Sequence, residues 1–402
     1  MKILFINKYL YQKGGSETYV IKLGDYLAKQ GHEVQYFGMD DEKRIVGNNV
    51  GLYIKQMDFH DTKKFARFIN PIKTIYSLES RRKLQSILND FEPDVVHLNN
   101  FNYQITPSVI LEIVSWRTQH NKSIRIIYTA HDYNLICPNH LLYNPNNHQT
   151  CEMCLGGYFY WCTKRKCIHN SILKSIIGSF EGYYWKLRET YKYIDCIICC
   201  SSFMKSRLDT NPLFLKKTIL LQNFINIKKE NDYKKKNYVL YFGRLSEEKG
   251  IMTLINACID LPNINFVFAG TGPLSERTRG VPNIESVGFV DGKELERLIS
   301  EALFSVCPSE CYDNCPFSVM ESQALGTPVL GANIGGIPEL IQSGQTGDLF
   351  IPGDIGDLKK RILDLWNDRN RIEKYSYNCK DVCFLDINQY YSKLIKLYEI
   401  TN

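Results

Sequence analysis

No apolar run in this chain of 402 residues comes near the ~20 residues that a spanning helix needs. A helical membrane span is therefore excluded as a reading. The chain also lacks a charge of one dominant sign. Lys and Arg number 49 against 43 Asp and Glu, a net of +6. That tilt is too mild to argue for nucleic acid as a partner, although it allows phosphorylated ligands or an anionic membrane surface. The opening residues, MKILFINK, are apolar only briefly, so they read as a first strand and not as a secretory signal. Without an export signal, disulfides are the less expected use of cysteine. These absences point to a cytoplasmic protein, peripheral at a membrane at most. The length is too great for one ordinary core and fits two domains.

What is present is an alternation of strands and helices. Residues 3–6 read as a buried parallel strand, and a glycine turn over 11–18 opens a helix with Val20, Leu23, Leu27 and Ala28 on its apolar stripe. Residues 34–37 form the next strand. Gly14-Gly15 before a helix lets backbone N–H groups approach a phosphate, with a plain tight turn as the other reading. Further strands are expected at 94–98 and 125–131. The second ends at His131, on the side where open α/β sheets hold ligands; a purely structural histidine is the alternative. The polar run 228–237 has the composition of a linker, placing a boundary near residue 225.

The second half restarts the pattern. After a strand at 238–242, Arg244 and Lys249 flank a loop that opens a helix at residue 251, well placed to neutralise a diphosphate. A strand at 265–269 runs into Gly270-Thr271-Gly272-Pro273. A strand at 303–307 leads through a loop to a helix over 317–325, with Pro316 at its start and Gly326 at its stop. Asp313 lies in that loop and Glu321, eight positions on, just over one turn inside the helix. Both carboxylates can face a ligand at the helix N-terminus, where they would accept hydrogen bonds from sugar hydroxyls. A solvated acidic loop is the bland alternative.

The spacing of Asp313 and Glu321 resembles the E-x7-E signature of the family 4 retaining glycosyltransferases, with Asp in place of the first Glu and Ser322 in place of the usual Ala. Gly14-Gly15-Ser16-Glu17 is similar to the family's G-G-x-E loop, 243–250 to its G-R-x4-K-G, Gly270–Pro273 to its G-x-G-P, 288–290 to its G-F-V and 335–339 to its G-G-x-P-E. The resemblance implies two facing Rossmann-like, doubly wound α/β domains (the GT-B fold) with a deep inter-domain cleft. An acceptor domain would span 1–225, a donor domain 226–380, and a C-terminal helix at 381–402 could return to the first domain. It implies retaining transfer of a sugar from a UDP- or GDP-sugar to an acceptor hydroxyl. Arg244 and Lys249 would hold the leaving diphosphate with Gly14 and Gly15, and His131 would sit near the sugar. Glu321 would take the ribose. Asp313, Glu310, Asn314 and Cys315 would position the sugar, while Gly270, Gly272 and Val290 would lie beside the nucleotide. No D-x-D occurs anywhere in the chain, so the two cations would do the work of a metal and no cofactor is required. The implied acceptor is a lipid-linked oligosaccharide of bacterial O-antigen, capsule or exopolysaccharide assembly. A nucleotide-sugar epimerase and a non-catalytic scaffold are the rival readings.

Three stretches fall outside these motifs. Cys137, Cys151, Cys154, Cys162 and Cys167, with His140, His148 and His169 nearby, form an insertion at 137–170. Structural zinc, free thiols and disulfides all remain open for it; a subset of the family carries a similar insertion. Residues 61–90 mix cations with apolar side chains and could lie on an anionic bilayer, or simply form a solvated helix face. Residues 171–193 read as a long helix with Ile172, Ile176, Phe180, Tyr184 and Leu187 on one side, expected to pack into the core.

Overall fold

The computed structural model describes residues 1–55, 74–227 and 233–399. They form two compact units. One comprises Met1–Leu141, Glu152–Asn223 and Ile387–Asn402; the other comprises Leu142–Cys151 and Phe224–Asp386. The second unit thus takes in ten residues of the cysteine-rich insertion.

The first unit is a parallel six-stranded sheet. Its strands are β1 (Lys2–Ile6), β2 (Glu33–Phe37), β3 (Val95–Leu98), β4 (Arg125–Ala130), β7 (Cys196–Cys199) and β8 (Thr218–Leu220), in the order β2-β1-β3-β4-β7-β8. A short antiparallel pair, β5 (Tyr143–Asn144) and β6 (Gln149–Thr150), intervenes in the chain and belongs to the second unit. The central strands are apolar on both faces, as parallel strands covered by helices must be. Ile3 to Ile6, Val95, Val96 and Ile126 are all at most 1% exposed. The connecting helices are α1 (Gly15–Lys29), α2 (Leu78–Phe91), α3 (Ser108–His120), α4 (Tyr160–Lys164), α5 (Ile172–Leu187) and α6 (Ser202–Leu208). Serine caps start several of them: the backbone N–H of Ser80 donates to Ser77 Oγ at 3.1 Å, and that of Met204 to Ser201 Oγ at 3.1 Å.

The second unit repeats the architecture. Its strands are β9 (Val239–Phe242), β10 (Phe266–Ala269), β11 (Ile284–Gly288), β12 (Phe304–Cys307), β13 (Val329–Ala332) and β14 (Gly347–Phe350), in the order β11-β10-β9-β12-β13-β14. Read in chain order this is 3-2-1-4-5-6, the Rossmann arrangement. Its helices are α7 (Ile251–Ile259), α8 (Gly292–Glu301), α9 (Phe317–Ala324), α10 (Ile337–Leu340), α11 (Ile355–Asn367) and α12 (Arg369–Asn378). The expected α/β class and the two Rossmann-like sheets are both present.

The last helix, α13 (Ile387–Glu399), belongs to the first unit. Tyr390, Leu394 and Tyr398 on one of its faces are at most 4% exposed. Burial of large side chains such as these stabilises a fold by roughly 1.5–3 kcal/mol each. Their hydroxyls are also engaged: Tyr390 shares a hydrogen bond of 2.7 Å with Tyr19, and Tyr398 one of 2.6 Å with His97.

One expectation falls partly outside the described residues and another changes. Part of the basic stretch 61–90 lies outside the described residues. Where it is described, Arg81 pairs with Glu112 at 2.7 Å and Lys83 donates to the Tyr53 carbonyl at 2.8 Å, while Arg82 is exposed. The helix expected over 171–193 ends at Leu187, and its apolar side is not in the core. Ile172, Ile176, Phe180 and Leu187 are exposed, whereas Ser175, Gly178, Ser179 and Trp185 face inward. Periodicity marked the two faces correctly, but the inward one is filled by small side chains that a hydrophobic pattern does not count.

Candidate active site

In an open parallel sheet, ligands bind past the carboxyl ends of the strands, where the strand order reverses. In the second unit β9 comes first in the chain and is flanked by β10 on one side and β12 on the other. The reversal therefore lies between β9 and β12. The loops leaving those two strands hold Arg244 with Lys249, and Glu310 with Asp313.

Backbone contacts lock the two loops together. The N–H groups of Glu310 and Cys311 donate to the Glu248 carbonyl at 3.0 and 3.2 Å. Gly250, between Lys249 and α7, has φ +68°, and a Cβ there would collide with the Pro308 carbonyl. Only glycine fits that crossing without strain. On the other side Gly335, φ +61°, lies against the Asp313 carbonyl, and Gly336 N–H donates to it at 2.6 Å. The Asp313 backbone is thus held by the turn that precedes α10.

Lys249 Nζ pairs with one carboxylate oxygen of Asp313, and Ser309 Oγ donates to the other. Burial opposes the charge on Lys249, yet Asp313 outweighs it and holds the ammonium above the ordinary lysine range. Lys249 is thereby a fixed cation at neutral pH. Glu310 accepts from Thr253 Oγ1 at 2.5 Å, and burial pushes its carboxyl upward despite that bond. Arg244 is exposed on the same loop, and its carbonyl accepts from Tyr241 Oη at 2.7 Å. Glu321 is the fifth residue of α9 and half-buried, and Asn314 and Cys315 precede that helix.

The β10 loop joins the same edge. Gly270 N–H donates to the Gly288 carbonyl at 2.6 Å, Leu245 N–H to the Thr271 carbonyl at 3.1 Å, and Gly272 N–H to Ser275 Oγ at 2.9 Å. Val290 follows β11, half-buried. The β5–β6 hairpin of the cysteine-rich insertion also belongs to this unit. Its Tyr143 hydroxyl lies 3.1 Å from His148 Nδ1, and both residues are close enough to Glu310 for their charges to interact. That the hairpin belongs to the second unit depends on the tertiary fold.

In the first unit the reversal lies between β1 and β3. Here the loops are laced by asparagines. Asn100 N–H donates to Asn7 Oδ1 at 3.0 Å, and its side chain donates to Ser16 Oγ at 2.9 Å. Gly14 caps α1, with Gly15 its first residue, both exposed. His131 Nε2 lies 2.9 Å from Asn99 Oδ1, and burial lowers its pKa to about 4. His97, fully buried behind it, is lowered to about 3 by burial and by His131; its nitrogens meet Tyr398 Oη and Thr129 Oγ1 at 2.6 and 2.7 Å. Both imidazoles are therefore neutral at pH 7. His97 was visible in the sequence only as a strand residue.

The cysteines of the insertion fall in both units. Cys154, Cys162 and Cys167 pack with Phe159 in an apolar cluster of the first unit. The Cys162 thiol is hydrogen-bonded to Cys167, which raises the first and lowers the second. Cys137 donates to Asn139 Oδ1 at 2.9 Å, while Cys151 falls in the second unit. Among the described residues no group of three or more His, Cys, Asp or Glu is arranged to hold a metal ion.

The family models decide the wider question. "Glycosyltransferase Family 4" matches residues 13–229, more than half of the chain, and "Glycosyl transferases group 1" matches 222–382. The chain belongs to glycosyltransferase family 4. An uncharacterized glycosyltransferase of Methanocaldococcus jannaschii is 27% identical to it over 56% of this chain and 67% of its own length. An uncharacterized 42.6 kDa protein in the cps region of Klebsiella pneumoniae is 22% identical over 91% of this chain and 96% of its own. With several other curated relatives, the match spans only about a third of their length. Among solved structures, sucrose-phosphate synthase from Thermosynechococcus elongatus superposes with a TM-score of 0.69 at 17% identity, covering 99% and 98% of the two chains. HepE of Anabaena, in complex with UDP and glucose, gives 0.65 at 15% identity, covering 99% of each. The fold of this glycosyltransferase is accordingly GT-B.

Proposed function

We propose that the enzyme transfers a sugar from a UDP-sugar to an acceptor hydroxyl with retention at the anomeric carbon and without a metal ion. The observation that carries this reading is the Lys249–Asp313 pair at the strand-order reversal of the second unit, with Arg244 exposed on the same loop. A lysine kept charged by its carboxylate partner can stabilise the negative charge that grows on a departing diphosphate, and Arg244 can share the load. Glu321 would accept from the ribose hydroxyls. Asp313 has both oxygens engaged by Ser309 and Lys249, so its role is to aim the cation, with the neighbouring 310–315 loop meeting the sugar. Within the first unit, the exposed N–H groups at Gly14 and Gly15 can donate to an anion, and neutral His131 can hydrogen-bond a hydroxyl. The bond from the anomeric carbon to the diphosphate oxygen breaks. The acceptor oxygen adds on the same face, and its proton passes to the leaving phosphate.

UDP is favoured as the carrier because the similar HepE was solved with UDP and with UDP-glucose. A lipid-linked oligosaccharide of surface polysaccharide assembly is the acceptor class we favour. Its support is the relative in the cps region and the similarity to a putative colanic acid biosynthesis glycosyltransferase of Salmonella typhimurium. The work would then be done at the cytoplasmic face of the membrane.

Thermal unfolding with UDP, GDP and their sugars tests the reading. A ligand at about 100 times its dissociation constant adds roughly 2.7 kcal/mol of stability. A shift with UDP alone supports it. A shift with GDP alone moves the donor assignment, and no shift with any nucleotide rejects the site. Consumption of the UDP-sugar without acceptor, yielding an isomer and no free UDP, would favour an epimerase instead.

A further inference from the structure

Helix α5 (Ile172–Leu187) is amphipathic in the reverse sense. Apart from Trp185, which is fully buried near its C-terminal end, its inward face is built from small and hydroxylated side chains. Ser175 Oγ accepts from Ile168 N–H at 3.0 Å, and Ser179 Oγ donates to the Phe159 carbonyl at 2.7 Å. A Cβ at Gly178 would collide with Ile168, and one at Gly182 with the Phe159 ring. The outward face carries Ile172, Leu173, Ile176, Phe180 and Leu187, exposed by 55, 65, 47, 59 and 83%. At 100° per residue these five fall within an arc of roughly 100°. Exposed Tyr158 and Tyr160 lie just before the helix in the chain. Large apolar side chains held in water while serines and glycines are buried cost stability, and such a stripe marks a surface for a partner.

The charge around the stripe identifies that partner. Between residues 152 and 189 stand Lys164, Arg165, Lys166, Lys174, Lys186 and Arg188 against Glu152, Glu181 and Glu189, of which Glu152 pairs with Arg207 and Glu189 with Lys192. Lys186 and Arg188 bracket the C-terminal end of the stripe: Lys186 Nζ donates to the Gly156 and Gly157 carbonyls at 3.2 and 3.3 Å, and Arg188 lies over the Tyr184 ring at 5.6 Å. A second copy of the chain would bring like charges together on this surface. An anionic bilayer neutralises them and accepts the apolar side chains between its headgroups.

We propose that the outward face of α5, with its flanking cations, is the surface by which this enzyme docks on an anionic phospholipid bilayer. The assignment rests on the lipid-borne acceptor only for its purpose, since docking is measured without donor or acceptor. The stripe also lies outside the basic stretch 61–90.

The experiment is sedimentation of the full chain with phosphatidylglycerol–phosphatidylcholine vesicles and with phosphatidylcholine vesicles, at low and high salt. The chain is compared with an Ile172→Ser/Ile176→Ser/Phe180→Ser variant and with Lys166→Glu/Arg188→Glu. The wild type should bind the anionic vesicles, and the first variant should lose about tenfold or more of its partitioning while unfolding at an unchanged temperature. The charge variant should lose binding and most of its salt dependence. Equal binding by wild type and the triple variant overturns the proposal. So does equal binding to both vesicle types, or a wild-type dimer by light scattering that the triple variant abolishes. The UDP-induced thermal shift, followed in parallel, reports on the donor site alone. Its absence would reject that site and leave the vesicle result to decide the docking surface.

Discussion

Each of the two sheets reverses its strand order once, and the two reversal points are furnished with different chemistry. In the second unit the loops bring charges together: Lys249 with Asp313, Glu310 beside them and Arg244 exposed on the same loop. In the first unit the contacts at the equivalent place join uncharged groups: Asn7 with Asn100, and Asn99 with His131, which follows β4 and is lowered to about 4, although Lys8 and Lys13 stand on the same β1 loop. The backbones differ as well. The charged loops cross at Gly250, in the left-handed region, whereas Gly14 has φ −166°, ordinary extended backbone. One frame thus serves two tasks. Fixed charge suits a diphosphate whose charge grows during reaction, and neutral donors and acceptors suit hydroxyls whose charge does not.

The sharpest way to break this contrast is to remove one group from each side. Lys249→Ala should lower kcat by about 10²–10³-fold, the usual loss when a preorganised electrostatic group is deleted. His131→Ala, taking away a neutral contact, should cost about tenfold, in line with one ordinary hydrogen bond. Release of UDP from the sugar donor measures both. Equal losses would mean that the two reversal points share the charge work.

The backbone contrast predicts a gap in stability. Gly250→Ala forces a residue into the left-handed region and drives its Cβ against the Pro308 carbonyl. A cost of about 1–3 kcal/mol is expected from such strain. At Gly14 the nearest atom to a new Cβ is the Glu17 carboxylate at 3.3 Å, the movable end of a side chain. Gly14→Ala should therefore stay within about 0.5 kcal/mol. Urea unfolding of both variants checks the difference.

A third contrast is in pH. His131 and His97 titrate at about 4 and about 3 when folded, below the ordinary 6.5. Between those limits the unfolded chain binds more protons, so their contribution to stability is present above pH 6.5 and is lost as the pH falls. Each contributes a slope of up to about 1.4 kcal/mol per pH unit. Glu181, pushed up to about 7 by burial, works the other way between 4.5 and 7. Comparing wild type with His131→Asn cancels that part. The variant should show the shallower fall on acidification, and an unchanged slope would mean that the folded histidine is protonated.

Much of the fold was legible because strand and helix periods are local. The apolar runs at 3–6, 125–131, 238–242 and 303–307 became β1, β4, β9 and β12. The motif residues of the second unit were legible for a related reason: Arg244, Lys249, Asp313 and Glu321 sit in loops and helix starts that follow apolar strands directly. What stayed hidden depends on contacts distant in sequence. His97 meets Tyr398 and Thr129, the β5–β6 hairpin joins the second unit, and the core side of α5 sets Ser175, Gly178 and Ser179 beside a single large residue, Trp185. No hydropathy pattern reveals a helix whose buried face is mostly small and polar while its apolar stripe is exposed.

The smallest expected effect tests how Asp313 is held. Ser309 is 2% exposed, and its hydroxyl donates to the carboxylate oxygen that Lys249 does not take. Ser309→Ala should cost about 1 kcal/mol of stability, the net value of one hydrogen bond, because Asp313 is itself partly open to water that can replace the donor. If Asp313 serves to aim Lys249, kcat should fall a few-fold with KM for the UDP-sugar nearly unchanged, since the cation matters most when the diphosphate departs. If instead the carboxylate grips the sugar in the ground state, KM should rise and kcat stay level. Asn99→Ala is the matching change beside His131. A rise in KM there, against a fall in kcat at Ser309, would show that the neutral reversal point binds while the charged one drives the reaction.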